Sequence, residues 1–311
     1  MQRKRRLFKT WANDWLALMK PTVKGNTFLS GYENPVRKHL IPHFQGLKLT
    51  EIRQADIQAY INLKAENYSL DTLKKHRIRL FEIFDSAIDN GLCAKNPVRK
   101  LKIPKTKART EKAIYTAEQV QKIFNFGYMH RFGAEIQFML ATGVSRGELL
   151  ALRWGDVNFE RRVVFIRRAV ALVPNAKTGK QETHVGEPKT EYRRRDIPVD
   201  SEICRILNET SRNSIYVFCN IKGEVNNPRT WSRRHYDVFM SDMREYYGSR
   251  GVEIPVYPPH QLRHTRLSLW INEGKSPLAV AKVAGHADTD MLHRHYAHSS
   301  VDELRELLGI Y

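Results

Sequence analysis

The amino-acid sequence predicts a mainly α protein in two domains, the first all-helical and the second α+β with a small sheet. Three observations carry this. Apolar residues recur at helical spacing through residues 7–90. A basic, proline-containing stretch without periodicity follows Asn96-Pro97. Short β-branched runs then cluster between residues 163 and 199. With 311 residues, each domain is large enough to bury its own core.

The first domain opens with Phe8, Trp11, Trp15 and Leu18 at helical spacing, and Pro21 closes that segment. Ile57, Tyr60, Ile61 and Lys64 follow Asp56, read as a cap. Ser69 caps a longer helix whose apolar stripe is Leu73, Leu80, Phe81, Phe84 and Ile88, and which stops near Gly91. Its other face carries Lys74, Lys75, Arg77 and Arg79, either a solvated face or one that lies across a DNA backbone. The boundaries are 1–105 for this domain, 106–112 for a linker and 113–311 for the second. Lys105, Lys107 and Arg109 make the junction basic, suited to tracking phosphates or to serving as a plain tether.

In the second domain, helices are expected at 116–126, 131–142 and 146–152. Strands are expected at Val163–Ile166, Val170–Val173 and Arg193–Val199, with a polar, turn-rich stretch at 174–190 and a short strand at 215–218. Further helices follow at 200–209, 230–247, 260–273, 277–284, 289–297 and 302–308.

The composition narrows the function. Fifty-two Lys and Arg against 33 Asp and Glu give a formal charge of +19, a field that attracts polyanions, above all nucleic acid. The excess is denser in the first third, where residues 1–105 hold 21 basic and 9 acidic side chains. Arg3 to Arg6 are either a phosphate-touching arm or a solvated terminus. Three cysteines without C-x-x-C spacing indicate neither a disulfide framework nor a structural zinc. No apolar run approaches a membrane span, and the basic start is not a signal peptide, so a cytoplasmic protein is expected. The His286, His293, His295 and His298 stretch has no Cys partner and no Asp or Glu at ligand spacing, so no metal is expected there.

The chemistry concentrates near the C-terminus. There the chain reads His260-Gln261-Leu262-Arg263-His264, then Gly285-His286, then His295-Tyr296-Ala297-His298. Tyrosine can attack phosphorus and hold it covalently, arginine forks onto phosphate oxygens, and histidine moves protons. His260 and Arg263 stand three residues apart, hence on one helix face. This order resembles the active-site tail of the tyrosine recombinases, the phage-integrase family. The resemblance extends over nearly the whole chain, with residues 7–105 similar to that family's SAM-like core-binding domain. Residues 113–311 are similar to its catalytic domain with a three-stranded antiparallel sheet.

The resemblance implies an enzyme that cuts double-stranded DNA one strand at a time, holds a 3′-phosphotyrosyl intermediate and rejoins it to a new 5′-hydroxyl without metal or nucleotide. Tyr296 would be the nucleophile, Arg263 the ligand of the scissile phosphate, His260 a proton-handling partner and His286 a phosphate hydrogen-bond donor. Lys189, in Glu187-Pro188-Lys189-Thr190 before Arg195-Asp196-Ile197-Pro198, resembles the family's hairpin lysine and would protonate the leaving 5′-oxygen. By chemistry alone Lys177 and Lys180 rival it.

The box Thr142-Gly143-Val144-Ser145-Arg146-Gly147-Glu148 departs from the family's T-G-x-R-x-G-E, because Ser145 stands at the first catalytic arginine. Arg146 takes the next position, about 100° round a helix. Three readings stay open: Arg146 substitutes, Ser145 slows the chemistry, or another arginine reaches in. Glu148 would buttress the site by packing or by pairing with an arginine, or lie on the helix surface.

The amphipathic tail from Ser300 to Tyr311 packs on its own domain or docks into a neighbouring protomer of a homotetramer on specific core sites. The expected function is site-specific integration or excision of a phage or other mobile element, with accessory DNA-bending or directionality proteins as further partners. An N-terminal arm-binding domain is expected to be absent or trimmed. A catalytically weakened DNA-binding relative and a type IB topoisomerase are the alternatives.

Overall fold

In a computed structural model, the described residues are 6–23, 25–104, 113–175, 178, 180–188, 191–285 and 301–310. They fall into two compact units, Met1–Glu111 and Lys112–Tyr311.

The first unit is helical because its apolar residues repeat at helical spacing and meet at one core. The helix Phe8–Met19 buries Phe8, Trp11, Ala12, Trp15 and Leu16. Leu18, expected on that stripe, is 54% exposed, and Leu16 takes the inward place. The indole of Trp11 donates to the Ile83 carbonyl at 3.0 Å, tying this helix to Leu70–Asp89. Short helical turns occupy Lys20–Thr22 and recur between Gly25 and Phe44, but residues 45–53 form a non-helical connection whose Leu49 and Ile52 are buried. The expectation of unbroken helix therefore fails there. The helix Gln54–Ala65 begins two residues before Asp56, whose carboxylate accepts from the Arg53 amide at 2.7 Å, so Asp56 caps from inside the first turn. Ser69 caps Leu70–Asp89 through the Thr72 amide. The ring of buried His76 meets the Tyr60 hydroxyl at 2.9 Å, and burial lowers its pKa to about 4.

The second unit places its sheet and helices around a separate core. Thr116 and Gln119 close a reciprocal capping box ahead of Ala117–Gly127. Gly133–Thr142 is buried on nearly every side and stops at Gly143, which takes φ +65°. Arg146–Ala151 follows at once. Three strands, β1 (Val157–Asn158), β2 (Val163–Ile166) and β5 (Arg195–Pro198), form an antiparallel sheet in the order β1-β2-β5. Val164 pairs with Ile197, and Ile166 with Arg195.

A three-stranded antiparallel sheet was expected, but its membership differs. The run around Val170 forms β3 (Ala169–Pro174), which pairs with β4 (Gln181–Gly186) as a separate hairpin. β4 lies in the stretch read as polar and turn-rich. Its Gln-Glu-Thr-His-Val sequence has little apolar alternation because no residue of this strand is fully buried. Residues 215–218 form no strand, only a bridge from Tyr216 to Arg153.

Ser201–Glu209 is capped by Asp200. The segment Pro228–Trp231 continues through Ser232–Tyr236 into Asp237–Gly248. His260–Asn272 and Pro277–Ala284 complete the core. The helix Val301–Leu308 buries Leu304 and Leu308 in this same unit, and the Arg305 guanidinium donates to the Arg161 and Arg162 carbonyls. Of the two placements open to the tail, this structure adopts packing on its own domain. Among the described residues, no helix is long and apolar enough to cross a membrane.

Candidate active site

Arg263 sits one turn into His260–Asn272, and its side chain is 12% exposed. Its guanidinium donates to the Gly143 carbonyl at 2.7 Å and to the Ala284 carbonyl. Both acceptors exist because a helix ends there in a left-handed glycine: Gly143 and Gly285 have φ +65° and +66°. A residue with a Cβ resists that conformation. Two helix C-termini thus aim partial negative charge at one arginine.

Glu148 approaches the same guanidinium at 3.8 Å and holds Arg195 by two bonds of 2.9 and 3.1 Å. It also accepts from the Ser145 amide at 2.8 Å, capping its own helix. Burial pushes the Glu148 carboxyl up, but Arg195, the Ser145 amide and Arg263 reverse this and bring it down to about 2. Burial lowers Arg263 to about 10, opposed by Glu148 and reinforced by Arg195 and Arg193. Both groups therefore stay charged at neutral pH.

Arg195 is almost wholly enclosed. Besides Glu148 it donates to the Arg193 carbonyl at 2.9 Å and to the Val283 carbonyl. In the sequence Arg195 stands out only as part of an expected strand. Period-two alternation held the clue: Arg195 and Ile197 share a face, and Ile197 is core. A core-facing arginine needs a carboxylate. Pairing of Glu148 with an arginine is among the expectations stated above, and Arg195 is that arginine.

The other anticipated residues distribute as follows. His260 is exposed at the start of the helix, with its ring 5.8 Å from that of His264. Arg146 donates to the Ser232 hydroxyl at 2.6 Å. Tyr296, His286 and Lys189 lie outside the described residues, as do Lys105, Lys107, Arg109 and Lys177. Residues flanking two of them do meet. A Cβ built on Gly285, just before His286, would lie 3.1 Å from the Tyr192 carbonyl and 3.2 Å from the Arg193 Cα, shortly after Lys189. Lys180 belongs to the turn of the β3–β4 hairpin, where its carbonyl accepts from Asn175 at 2.8 Å. Lys189 comes later in the sequence, between the β4 and β5 residues.

In the first unit, Lys74 and Lys75 are exposed and Arg77 is half-buried. Arg79 differs from its neighbours. It stacks 3.9 Å over the Tyr32 ring and lies 3.0 Å from Glu82.

The profile of the Phage integrase family matches residues 112–303, and that of the Phage integrase N-terminal SAM-like domain matches residues 7–64. A tyrosine recombinase XerC-like protein of Caldanaerobacter subterraneus subsp. tengcongensis is 26% identical, over 94% of this chain and 78% of its own. The transposase from transposon Tn916 of Enterococcus faecalis is 27% identical, over 91% and 72%. Among solved structures, the Tn1549 transposon integrase in complex with a circular intermediate DNA superposes with a TM-score of 0.74 at 21% identity, over 98% and 99%. A lambda integrase tetramer bound to a Holliday junction gives 0.65 at 18%, over 93% and 77%. The chain belongs to the phage integrase family and is a tyrosine recombinase, an enzyme of site-specific DNA cleavage and rejoining.

Proposed function

We propose that this recombinase cleaves double-stranded core sites through Tyr296, with residues 1–105 gripping DNA, 106–112 linking and 113–311 carrying the chemistry. The observation that supports this best is the fixing of Arg263 by Gly143, Ala284 and Glu148 beside the flanks of His286 and Lys189. A guanidinium held that way is preorganised for the charge that grows on the phosphoryl oxygens in the transition state.

In the proposed reaction the Tyr296 oxygen attacks the scissile phosphorus, and the bond from phosphorus to the 5′-oxygen breaks. The phenolic proton passes to His260, and Lys189 protonates the departing 5′-oxygen. His286 and Arg263 hold the non-bridging oxygens. Attack by another 5′-hydroxyl then releases Tyr296, so the count of phosphodiester bonds is conserved and no cofactor is consumed. Lys74, Lys75, Arg77 and Lys105 would contact phosphates in the first domain, and Lys107 and Arg109 in the linker.

Four copies would act on two duplexes in the cytoplasm of a host cell to integrate or excise a mobile element. The similarity to a lambda integrase tetramer on a Holliday junction supports this assembly. Accessory DNA-bending or directionality proteins would join it.

Covalent trapping tests the reading. The protein is incubated with nicked duplexes made from DNA flanking its own gene. A denaturant-resistant adduct that disappears in Tyr296→Phe is expected. An adduct that survives the substitution would overturn Tyr296 as nucleophile. Retention of DNA without any adduct would favour the weakened relative.

A further inference from the structure

We propose that Arg146 and Arg229 form a clamp for one backbone phosphate of the DNA substrate, distinct from the phosphate at Arg263, with Ser232 as the post that orients Arg146. The proposal rests on the reading of this chain as a recombinase on duplex DNA, and it gives Arg146 and Arg229 a role apart from the scissile phosphate.

The direction of Arg146 comes first. Arg146 and Glu148 are two residues apart on one helix, about 200° round its axis. Glu148 faces Arg195 and Arg263, so Arg146 leaves on the opposite side. It is met there by Ser232, whose hydroxyl accepts at 2.6 Å. Ser232 and Arg229 share one helical turn, because the Ser232 amide donates to the Arg229 carbonyl. That turn is anchored by Asn227, whose side chain accepts from the Arg229 and Thr230 amides at 3.0 and 3.3 Å. Trp231 in the same turn is fully buried, and its indole donates to Glu135. The turn is thus a fixed platform.

The charge balance comes second. Among the described residues, neither Arg146 nor Arg229 forms an ion pair with a carboxylate, whereas Arg167, Arg168, Arg195 and Arg205 each do. Arg229 is exposed, and Arg146 is half-buried with one donor committed to Ser232. Burial and then the charge of Arg229 both lower the Arg146 pKa, so the two guanidiniums repel across this gap. A like-charged pair held on a rigid frame is complementary to an anion that both can reach, and a phosphate accepts two charge-assisted donors at once. The substrate supplies that anion.

Equilibrium binding of the full chain to a duplex from DNA flanking its own gene, across a salt series, tests the clamp. Arg146→Ala and Arg229→Ala are each expected to weaken binding roughly tenfold, and the double variant to lower the salt slope by about one, not two. Duplexes carrying one neutral methylphosphonate each should reveal a single position whose effect vanishes in both single variants. Ser232→Ala should weaken binding less than Arg146→Ala while leaving the net charge unchanged. A slope change of about two, or two different sensitive positions, would overturn a shared phosphate. Unchanged binding in Arg229→Ala would overturn the clamp outright, and because Arg229 is exposed this variant carries the test even if Arg146→Ala unfolds. A Tyr296-dependent adduct alongside unchanged binding would sink the clamp and leave the recombinase reading intact. Failure of the wild type to bind any duplex would sink both.

Discussion

The short helix Arg146–Ala151 separates two pairs of arginines that the molecule treats in opposite ways. On one side Arg195 and Arg263 share Glu148, and each donates to two backbone carbonyls besides. On the other side Arg146 and Arg229 share no carboxylate among the described residues. The difference is one acidic side chain. With it, Arg195 and Arg263 are buried with their charge balanced; without it, Arg146 and Arg229 carry charge that no carboxylate among the described residues balances. The arginine count of a basic protein therefore says less than the position of its few buried carboxylates.

The largest effect should come from removing that carboxylate. Glu148→Gln leaves Arg195 and Arg263 buried without a counter-charge, which costs about 3–5 kcal/mol and should abolish adduct formation. Thermal unfolding reads the first and covalent trapping the second; a stable, active variant would break the comparison. Acid unfolding sharpens it. The Glu148 carboxyl is held at about 2, below its ordinary 4.5. Its contribution is thus fully present above pH 4.5 and is lost as pH falls towards 2. The Gln variant should lack that part of the acid transition.

Ser145 is the next place to press, since it stands between the two faces and occupies the position of an arginine in the family pattern. Ser145→Arg should raise the rate of adduct formation on the order of 10²-fold, the usual weight of one donor to developing negative charge. No gain would mean that another group already serves the scissile phosphate. A smaller effect is expected at Gly147, where a Cβ would lie 2.6 Å from the Val170 carbonyl. Gly147→Ala should push the helix off β3 and destabilise by about 1–3 kcal/mol. An unchanged melting temperature would show that the strand yields freely.

Local signals made much of this legible. Ser69 and Thr116 cap the helices that their spacing announces, and Val163–Ile166 is a strand as its β-branched run suggests. Local signals do not settle which elements pack together. β3 pairs with β4 instead of joining the three-stranded sheet, where β1 takes the edge of β2 opposite β5. Leu18 and Leu16 exchanged roles because helical spacing allows either, and only the position of the facing helix chooses between them.

By itself the sequence determined the net charge, the helical character of the first domain, and the order of His260, Arg263, His286 and Tyr296 that marks the family. Those properties follow from composition, short-range periodicity and linear order. Only the tertiary structure decided that Glu148 meets Arg195, 47 residues away, that Arg146 turns to Ser232, 86 residues away, and that the tail lies on its own domain. Such pairings depend on which backbone elements pack together, and a charge has no partner until the fold brings one within a few ångströms.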